Sequence, residues 1–160
     1  MQSWLVVLLA ALLAGCGRSA ADYPNDARAA LDSGDRAKAI RVAEEGLAQD
    51  AVKQDAATAW RLEQIRLDAL AGSGKGPDVK KELERLAGAY PNQVSAALYR
   101  SLADKLKAAG DVPGAIEVLT AGGQRFPAEH ASFADAIGGL KDAAPLDPAQ
   151  VQRLKALGYL

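Results

Sequence analysis

Residues 99–127 read YRSLADKLKAAGDVPGAIEVLTAGGQRFP, and their pattern indicates the fold most clearly. Tyr99, Leu102 and Leu106 recur at helical spacing, so they lie on one face of a first helix. Gly110 supplies the left-handed conformation that a tight turn between two helices needs. The closing proline ends a second helix. The stretch therefore predicts an antiparallel helical hairpin.

The turn glycine of this hairpin has two counterparts earlier in the chain. Gly34, Gly74 and Gly110 follow one another at spacings of 40 and 36 residues. Three helical hairpins are therefore predicted, at approximately residues 22 to 51, 54 to 91 and 93 to 126. Each hairpin has an apolar face that it cannot bury alone, so stacking of the hairpins completes one continuous core.

The first two hairpins are less regular than the third. The leading helix of the first must be short, because Tyr23 and Pro24 lie only a few turns before Gly34. In the middle hairpin, a leading helix over roughly residues 56 to 70 is followed by a glycine-rich turn that we expect to be stretched over residues 71 to 77.

The composition supports a helical protein and excludes one large class of function. Alanine and leucine dominate, and aromatic residues make up only 5% of the chain, which favours helices packed through small side chains. The 19 basic and 20 acidic residues give a formal net charge of −1. Because no long basic run is present, the chain lacks the electrostatic signature of a nucleic-acid-binding protein.

The third hairpin resembles the tetratricopeptide repeat (TPR). Nine of its residues fall at the aromatic, leucine, small, large, glycine, alanine, aromatic, small and proline positions of that repeat: Tyr99, Leu102, Ala103, Leu106, Gly110, Ala115, Leu119, Gly122 and Pro127. The resemblance implies an all-α fold, a short right-handed solenoid of about three TPR-like hairpins over residues 22–142, closed by a C-terminal capping helix within residues 143–160. A helical-hairpin solenoid of another family is the alternative.

The amino terminus predicts a secreted, lipid-anchored protein. Residues 5–14 read LVVLLAALLA, and a helix of this length rises only about 15 Å, half of a bilayer core. This length is typical of a signal peptide, here residues 1–15, although residues 1–4 contain no lysine or arginine. An uncleaved anchor is the alternative.

The cysteine that follows explains why the apolar run stops there. The sequence Leu13-Ala14-Gly15-Cys16 resembles the lipobox of bacterial lipoproteins, in which the cysteine is acylated, with palmitate among the chains, and becomes the first mature residue. Residues 16–21 then form the lipidated cysteine and a short tether. Gly17 is not the aspartate that retains some lipoproteins in the inner membrane, which favours the outer membrane, facing the periplasm. An ordinary buried cysteine is the other interpretation of Cys16.

No catalytic or metal-binding motif is evident. The single histidine, His130, and the single cysteine cannot form a usual zinc site, and we interpret His130 as a surface residue. The glycine-rich turn at residues 72–76 resembles a phosphate-binding loop but lacks its Ser or Thr. Acidic pairs such as Glu44-Glu45, and Glu82 with Glu84, are assigned to solvated helix faces. We therefore predict no enzyme activity, cofactor or metal.

The TPR resemblance also implies where a partner binds, because the first helices of such repeats line a groove for a peptide or partner helix. The groove positions carry over onto Arg61, Gln64, Asp68, Ala97, Arg100, Asp104, Lys107 and Ala108. Arg100 and Lys107 would favour an acidic peptide, a carboxyl terminus or an anionic polymer. Alternatively, Arg100, Asp104 and Lys107 only pair with one another along one exposed helix face.

The carboxyl terminus has two interpretations. Residues 127–140 predict a helix with Phe133, Ile137 and Leu140 on one side, and residues 148–157 predict another that ends at a glycine. The last helix and the LGYL ending either cap the stack or form a free apolar peptide for a partner's groove. In a cap, the docking residues would be Val151, Leu154, Leu157 and Tyr159.

These expectations together describe a non-enzymatic, membrane-anchored TPR lipoprotein that acts as a protein–protein interaction adaptor in bacterial envelope assembly. Its partner would be a protein or peptide of the cell envelope. The alternative is an accessory or regulatory subunit of a membrane-bound or periplasmic enzyme. Direct glycan binding is disfavoured, because few aromatic residues are available to stack on sugars.

Overall fold

The computed structural model describes residues 19–141, 146 and 148–160. The predicted signal peptide, Cys16 and part of the predicted tether lie outside these residues. Within them the chain forms nine α-helices, a 3-10 turn and no strand, which confirms the all-α fold. The elements are α1 Asp22–Asp32, α2 Arg36–Leu47, α3 Asp50–Lys53, α4 Ala56–Gly72, α5 Gly76–Ala89, α6 Ala96–Ala108, α7 Val112–Arg125, the 3-10 turn Pro127–Glu129, α8 His130–Lys141 and α9 Pro148–Ala156.

The helices pack in antiparallel pairs. α1 packs with α2, α4 with α5 and α6 with α7, and their bounds agree with the three predicted hairpins. The first helices of the pairs also pack side by side, α1 against α4 and α4 against α6. None of the helices in the described part of the chain is both long and apolar enough to cross a membrane.

The same turn joins the helices of each pair. Gly34, Gly74 and Gly110 have positive φ angles of 83°, 67° and 86°. In each turn the glycine N–H donates to the carbonyl three residues back, and the next N–H donates to the carbonyl five residues back. This pattern satisfies the last carbonyls of a helix while the chain reverses. The alignment of the sequence on these glycines therefore corresponds to a real repetition of structure.

The prediction of a stretched turn in the middle hairpin is wrong. α4 continues to Gly72 and α5 begins at Gly76, so the middle turn is as short as the other two. Gly74 alone reverses the chain, and Pro77 occupies the first turn of α5, where its missing N–H costs nothing and its fixed φ suits the helix.

Asp111 completes the beginnings of two helices. Its Oδ1 accepts a hydrogen bond from the N–H of Gly114 at 2.9 Å, which caps α7. Its Oδ2 accepts a hydrogen bond from the N–H of Gly76 at 2.8 Å, at the start of α5, whose own cap residue Lys75 makes no side-chain bond. A Cβ at Gly76 would overlap the backbone of Gly114, so only glycine allows this approach. The second and third hairpins are therefore joined through one carboxylate.

The carboxyl-terminal segment is docked against the third hairpin and α8. Phe133 and Ile137 of α8 are fully buried. Leu154 of α9 and Tyr159 are only a few per cent exposed. α9 ends in a fourth glycine turn, at Gly158 with φ 75°. The predicted helices at residues 127–140 and 148–157 are thus present, and the tail does not hang free.

The interpretation of His130 as a simple surface residue is wrong. Its ring is half-buried and stacks on the ring of Tyr159, with centroids 4.6 Å apart and an angle of 11° between the planes. Its Nε2 also lies 3.3 Å from the carbonyl oxygen of Leu157. The Tyr159 hydroxyl occupies the place that a side chain on Gly123 would fill. His130 and Gly123 therefore form part of the surface against which the LGYL ending packs.

We predict that Asp111→Ala lowers the free energy of unfolding by about 2 kcal/mol, about 1 for the α7 cap and about 1 for the unpaired N–H of Gly76. Asp35→Ala is the matched control, because Asp35 caps only α2. Its expected loss is about 1 kcal/mol. Equal losses in chemical denaturation of the two variants would show that the bond to Gly76 contributes nothing.

We predict that the tail undocks at alkaline pH. Burial raises the pKa of Tyr159 above its ordinary value, because it disfavours the phenolate. The contribution of this group to docking is therefore fully present below the ordinary tyrosine pKa of about 10 and is lost as pH rises through the raised value. The NMR signals of residues 154–160 should report the change. In Tyr159→Phe the pH-dependent step should vanish, and its persistence would assign it to another group.

Candidate functional site

The predicted groove residues lie on neighbouring first helices, and most are accessible. Arg61 is exposed on α4, and Ala97, Asp104, Lys107 and Ala108 are exposed on α6. The remaining three, Gln64, Asp68 and Arg100, are half-buried. We refer to the surface formed by α1, α4 and α6 as the first-helix face.

A cleft of about 330 Å³ opens between α1 and α4 on this face. It is lined by Pro24, Asn25, Arg28, Ala29, Asp32, Arg61, Gln64 and Ile65. Arg61 and Gln64 are among the predicted groove residues, and their neighbours on α1 are not. Arg28 lies six residues before Gly34, as Asp68 does before Gly74, and Asp32 lies two residues before Gly34, as Ala108 does before Gly110. The same offsets applied to the first hairpin could therefore have predicted Arg28 and Asp32. Two guanidinium groups and one carboxylate leave the cleft with a positive charge.

Asp68 is engaged in ion pairs. Its carboxylate bonds to the ammonium group of Lys105 on α6 and lies 3.8 Å from the Arg28 guanidinium on α1. The three first helices are therefore linked through one side chain. Asp68 therefore holds the helices of the first-helix face together, and its carboxylate is already engaged by cations of this chain.

Arg100 is also engaged. Its Nη1 donates to Glu129 Oε2 at 2.8 Å and to Ser132 Oγ at 3.3 Å, and its guanidinium lies 5.4 Å from the centre of the Phe133 ring. Arg100 thus ties α6 to the 3-10 turn and α8. The alternative interpretation expected Arg100 to pair with Asp104, and this pair is not formed. Asp104 and Lys107 are exposed to solvent.

A second candidate site lies inside the middle hairpin and was not predicted. Arg66 forms ion pairs with three carboxylates: Glu44 at 3.4 Å, Glu63 at 3.4 Å, and Glu82 at close range. Arg85 bonds to Glu63 at 2.5 Å and to Glu82 at 2.7 Å. We call these five residues of α2, α4 and α5 the charge network. Glu82 was assigned to a solvated face, which is wrong, since it is largely buried among these partners.

Comparison with the neighbouring hairpins shows how unusual the charge network is. Eleven residues before the turn glycine, the first and third hairpins have Tyr23 and Tyr99, and the middle hairpin has Glu63. All three side chains are buried, and Glu63 is only 5% exposed. Eight residues after the turn glycine, the outer hairpins have the buried Val42 and Val118, and the middle hairpin has Glu82. Charged groups therefore replace apolar core residues in the middle hairpin.

The middle hairpin has larger apolar side chains than its neighbours at two buried positions, seven residues before and five residues after the turn glycine. In the outer hairpins these positions hold buried alanines: Ala27 and Ala39 in the first, Ala103 and Ala115 in the third. The equivalent residues of the middle hairpin are Leu67 and Val79. α4 and α5 accordingly pack less closely than the other two pairs, because bulkier contacts increase the distance between helix axes.

The tyrosines of the outer hairpins also have a specific partner that the middle hairpin lacks. Tyr23 lies against Gly46 and Tyr99 against Gly122. A Cβ on Gly46 would collide with Tyr23, and a Cβ on Gly122 would be tight against the Cβ of Tyr99 and would collide with the Phe133 ring. The equivalent residue in the middle hairpin is the buried Leu86.

The network lines a cleft of about 500 Å³ between α2, α3, α4 and α5. Its apolar walls come from Leu47, Ala48, Ala59 and Tyr90. Burial lowers the pKa of Arg85, but hydrogen bonds and Coulomb attraction to Glu82 and Glu63 outweigh this effect, so that the pKa is raised and the guanidinium stays charged. Two buried atoms in the described structure, Glu63 Oε2 and Arg66 Nε, make no hydrogen bond.

Comparison with known proteins finds no matching protein family, no similar curated protein and no similar solved structure. In the described part of the chain, no group of three or more His, Cys, Asp or Glu side chains is arranged to hold a metal ion. The candidate sites are therefore the first-helix face and the cleft of the charge network.

We predict that the charge network is not required for stability. The triple variant Glu63→Leu, Arg66→Leu, Glu82→Val should keep or raise the free energy of unfolding, by up to about 4 kcal/mol, because buried ion pairs seldom stabilise more than apolar residues of similar volume. Glu63→Ala alone should lower it by about 3 kcal/mol, because the largely buried guanidinium group of Arg66 loses a partner. Chemical denaturation measures both. A triple variant less stable than Glu63→Ala would contradict this account.

Proposed function

We propose that this chain is a non-enzymatic, lipid-anchored adaptor of the bacterial envelope, built from TPR-like repeats. The observation that carries the proposal is the accessible, polar first-helix face with its positively charged cleft. A surface formed by parallel first helices suits an extended peptide or a helix, because successive helices present side chains at regular intervals.

The TPR-like architecture is supported by the repetition within the chain. Three hairpins share one turn geometry, and two of them share buried alanines on both sides of the turn and a tyrosine against a glycine. On this proposal the stack is a short right-handed solenoid, and α9 with the LGYL ending is its cap. The docked positions of Leu154 and Tyr159 support the cap over the free peptide.

The anchor rests on the sequence around Cys16. The proposal places a signal peptide at residues 1–15, acyl chains on Cys16, and the helical repeats on the periplasmic side of the outer membrane. Because two or more acyl chains are needed for stable anchoring, the multiple acylation of such a cysteine would hold the protein at the membrane surface.

The cleft between α1 and α4 is the best placed part of the face for an acidic partner. Arg61 is exposed, and Arg28 has only a long ion pair, so both can bind a carboxylate of a partner peptide. Arg100, which the sequence favoured for this role, is held by Glu129. Reversal of its charge would disturb the junction with α8 as well as any partner.

The test is crosslinking and detergent purification of the full-length protein from its native envelope, beside two charge-reversal variants. In Arg28→Glu with Arg61→Glu, a specific co-purifying protein should be lost. In the control, Lys38→Glu with Arg41→Glu, it should be retained, because these exposed residues of α2 carry the same change in charge away from the face. Loss in both variants, or in neither, would contradict the assigned site.

The anchor is tested separately. Cys16→Ser should abolish labelling by a palmitate analogue and move the protein from the membrane fraction to the soluble periplasmic fraction, because no acyl chains remain. Unchanged labelling of the variant would show that Cys16 is not the lipidated residue.

A further inference from the structure

We propose that the cleft of the charge network binds a single guanidinium or ammonium group on an aliphatic stem, supplied by an arginine or lysine side chain of a partner protein. This site lies between α2, α3, α4 and α5, and it shares no lining residue with the cleft of the first-helix face. The proposal does not depend on the peptide groove being correct, because it is carried by different residues.

The network has no evident structural necessity. The outer hairpins fill the same two positions with tyrosine and valine, and both are well packed. Burial of charged groups is costly and rarely more stabilising than apolar packing. Charged residues at these two positions therefore point to a task other than holding α4 and α5 together.

The network carries a net negative charge. Three carboxylates, those of Glu44, Glu63 and Glu82, face only two guanidinium groups, which leaves one negative charge in the network. Lys53 also borders the cleft, but its ammonium group is paired with Asp50 at 3.0 Å. A ligand that brings one positive charge would neutralise the site.

The network also holds an unused hydrogen-bond acceptor. Glu63 Oε2 is buried and accepts no hydrogen bond, and its ion pair with Arg66 Nε, at 3.4 Å, lacks hydrogen-bond geometry. A buried carboxylate oxygen without a hydrogen bond is costly, and a donor N–H removes that cost. Guanidinium and ammonium groups provide such donors together with the required charge.

The walls of the cleft fit the rest of such a side chain. Leu47, Ala48 and Ala59 provide apolar contacts for methylene groups. Tyr90 borders the same cleft, and its ring packs against Trp60 at a centroid distance of 5.3 Å. An aromatic ring at the border favours a cation over a neutral group. The cleft volume of about 500 Å³ is in the range of small-ligand sites.

The experiment is an NMR titration of the full-length protein in detergent micelles with three capped tripeptides, Ala-X-Ala, in which X is arginine, lysine or neutral citrulline. We expect saturable shifts of the amide signals of Ala48, Ala59 and Tyr90 with the arginine and lysine peptides, and at least tenfold weaker binding of the citrulline peptide. No saturable shift with either cationic peptide, or equal binding of citrulline, would overturn the proposal.

Matched variants locate the site. Glu63→Gln should weaken binding of the arginine peptide at least tenfold, and Glu84→Gln, an exposed residue of the same hairpin outside the cleft, should leave it unchanged. Unchanged binding in Glu63→Gln would overturn the proposal. If circular dichroism shows that Glu63→Gln is unfolded, Ala48→Phe, which fills the exposed border of the cleft, takes its place. The proposal then requires loss of binding in that variant.

Discussion

The distance between two paired helices is the constraint on which the rest of this structure depends. Where buried alanines lie on both sides of the turn, as in the outer hairpins, the helices pack closely and a tyrosine lies against a glycine. Where Leu67 and Val79 take the places of these alanines, the helices pack less closely. The second arrangement leaves room that charged residues occupy. The middle hairpin thus differs from the outer two by larger apolar residues at two positions, and it has a polar interior and a cleft.

The helical architecture could be predicted from local features of the sequence. Turn glycines, helix caps and apolar spacing act over a few residues, so three hairpins, α8 and α9 were found close to their observed bounds. The middle turn was predicted too long because glycine-rich sequence was interpreted as loop. Only the backbone conformation shows that Gly74 completes the reversal alone.

The sites were less predictable, because they depend on contacts between distant segments. Arg100 looked free on its own helix, and its partner Glu129 lies in the next element. Glu82 was assigned to a solvated face, since charge normally indicates exposure, and Glu63 was not among the predicted site residues. The alignment on the turn glycines could have predicted that these glutamates are buried, because it places Glu63 at the same position as two tyrosines and Glu82 at the same position as two valines. His130 was misjudged for the same reason, because its partner, Tyr159, is at the end of the chain.

The bond from Asp111 to Gly76 has a consequence for how the chain acquires its structure during synthesis. The start of α5 has no side-chain cap until a residue far downstream becomes available, so the middle hairpin remains incomplete while the third is still being made. The two hairpins are then expected to consolidate in one step rather than one after the other, since each N–H group left uncapped weakens its helix. A nascent chain that stops before residue 111 would carry α5 in a frayed state, open to proteases at its first turn.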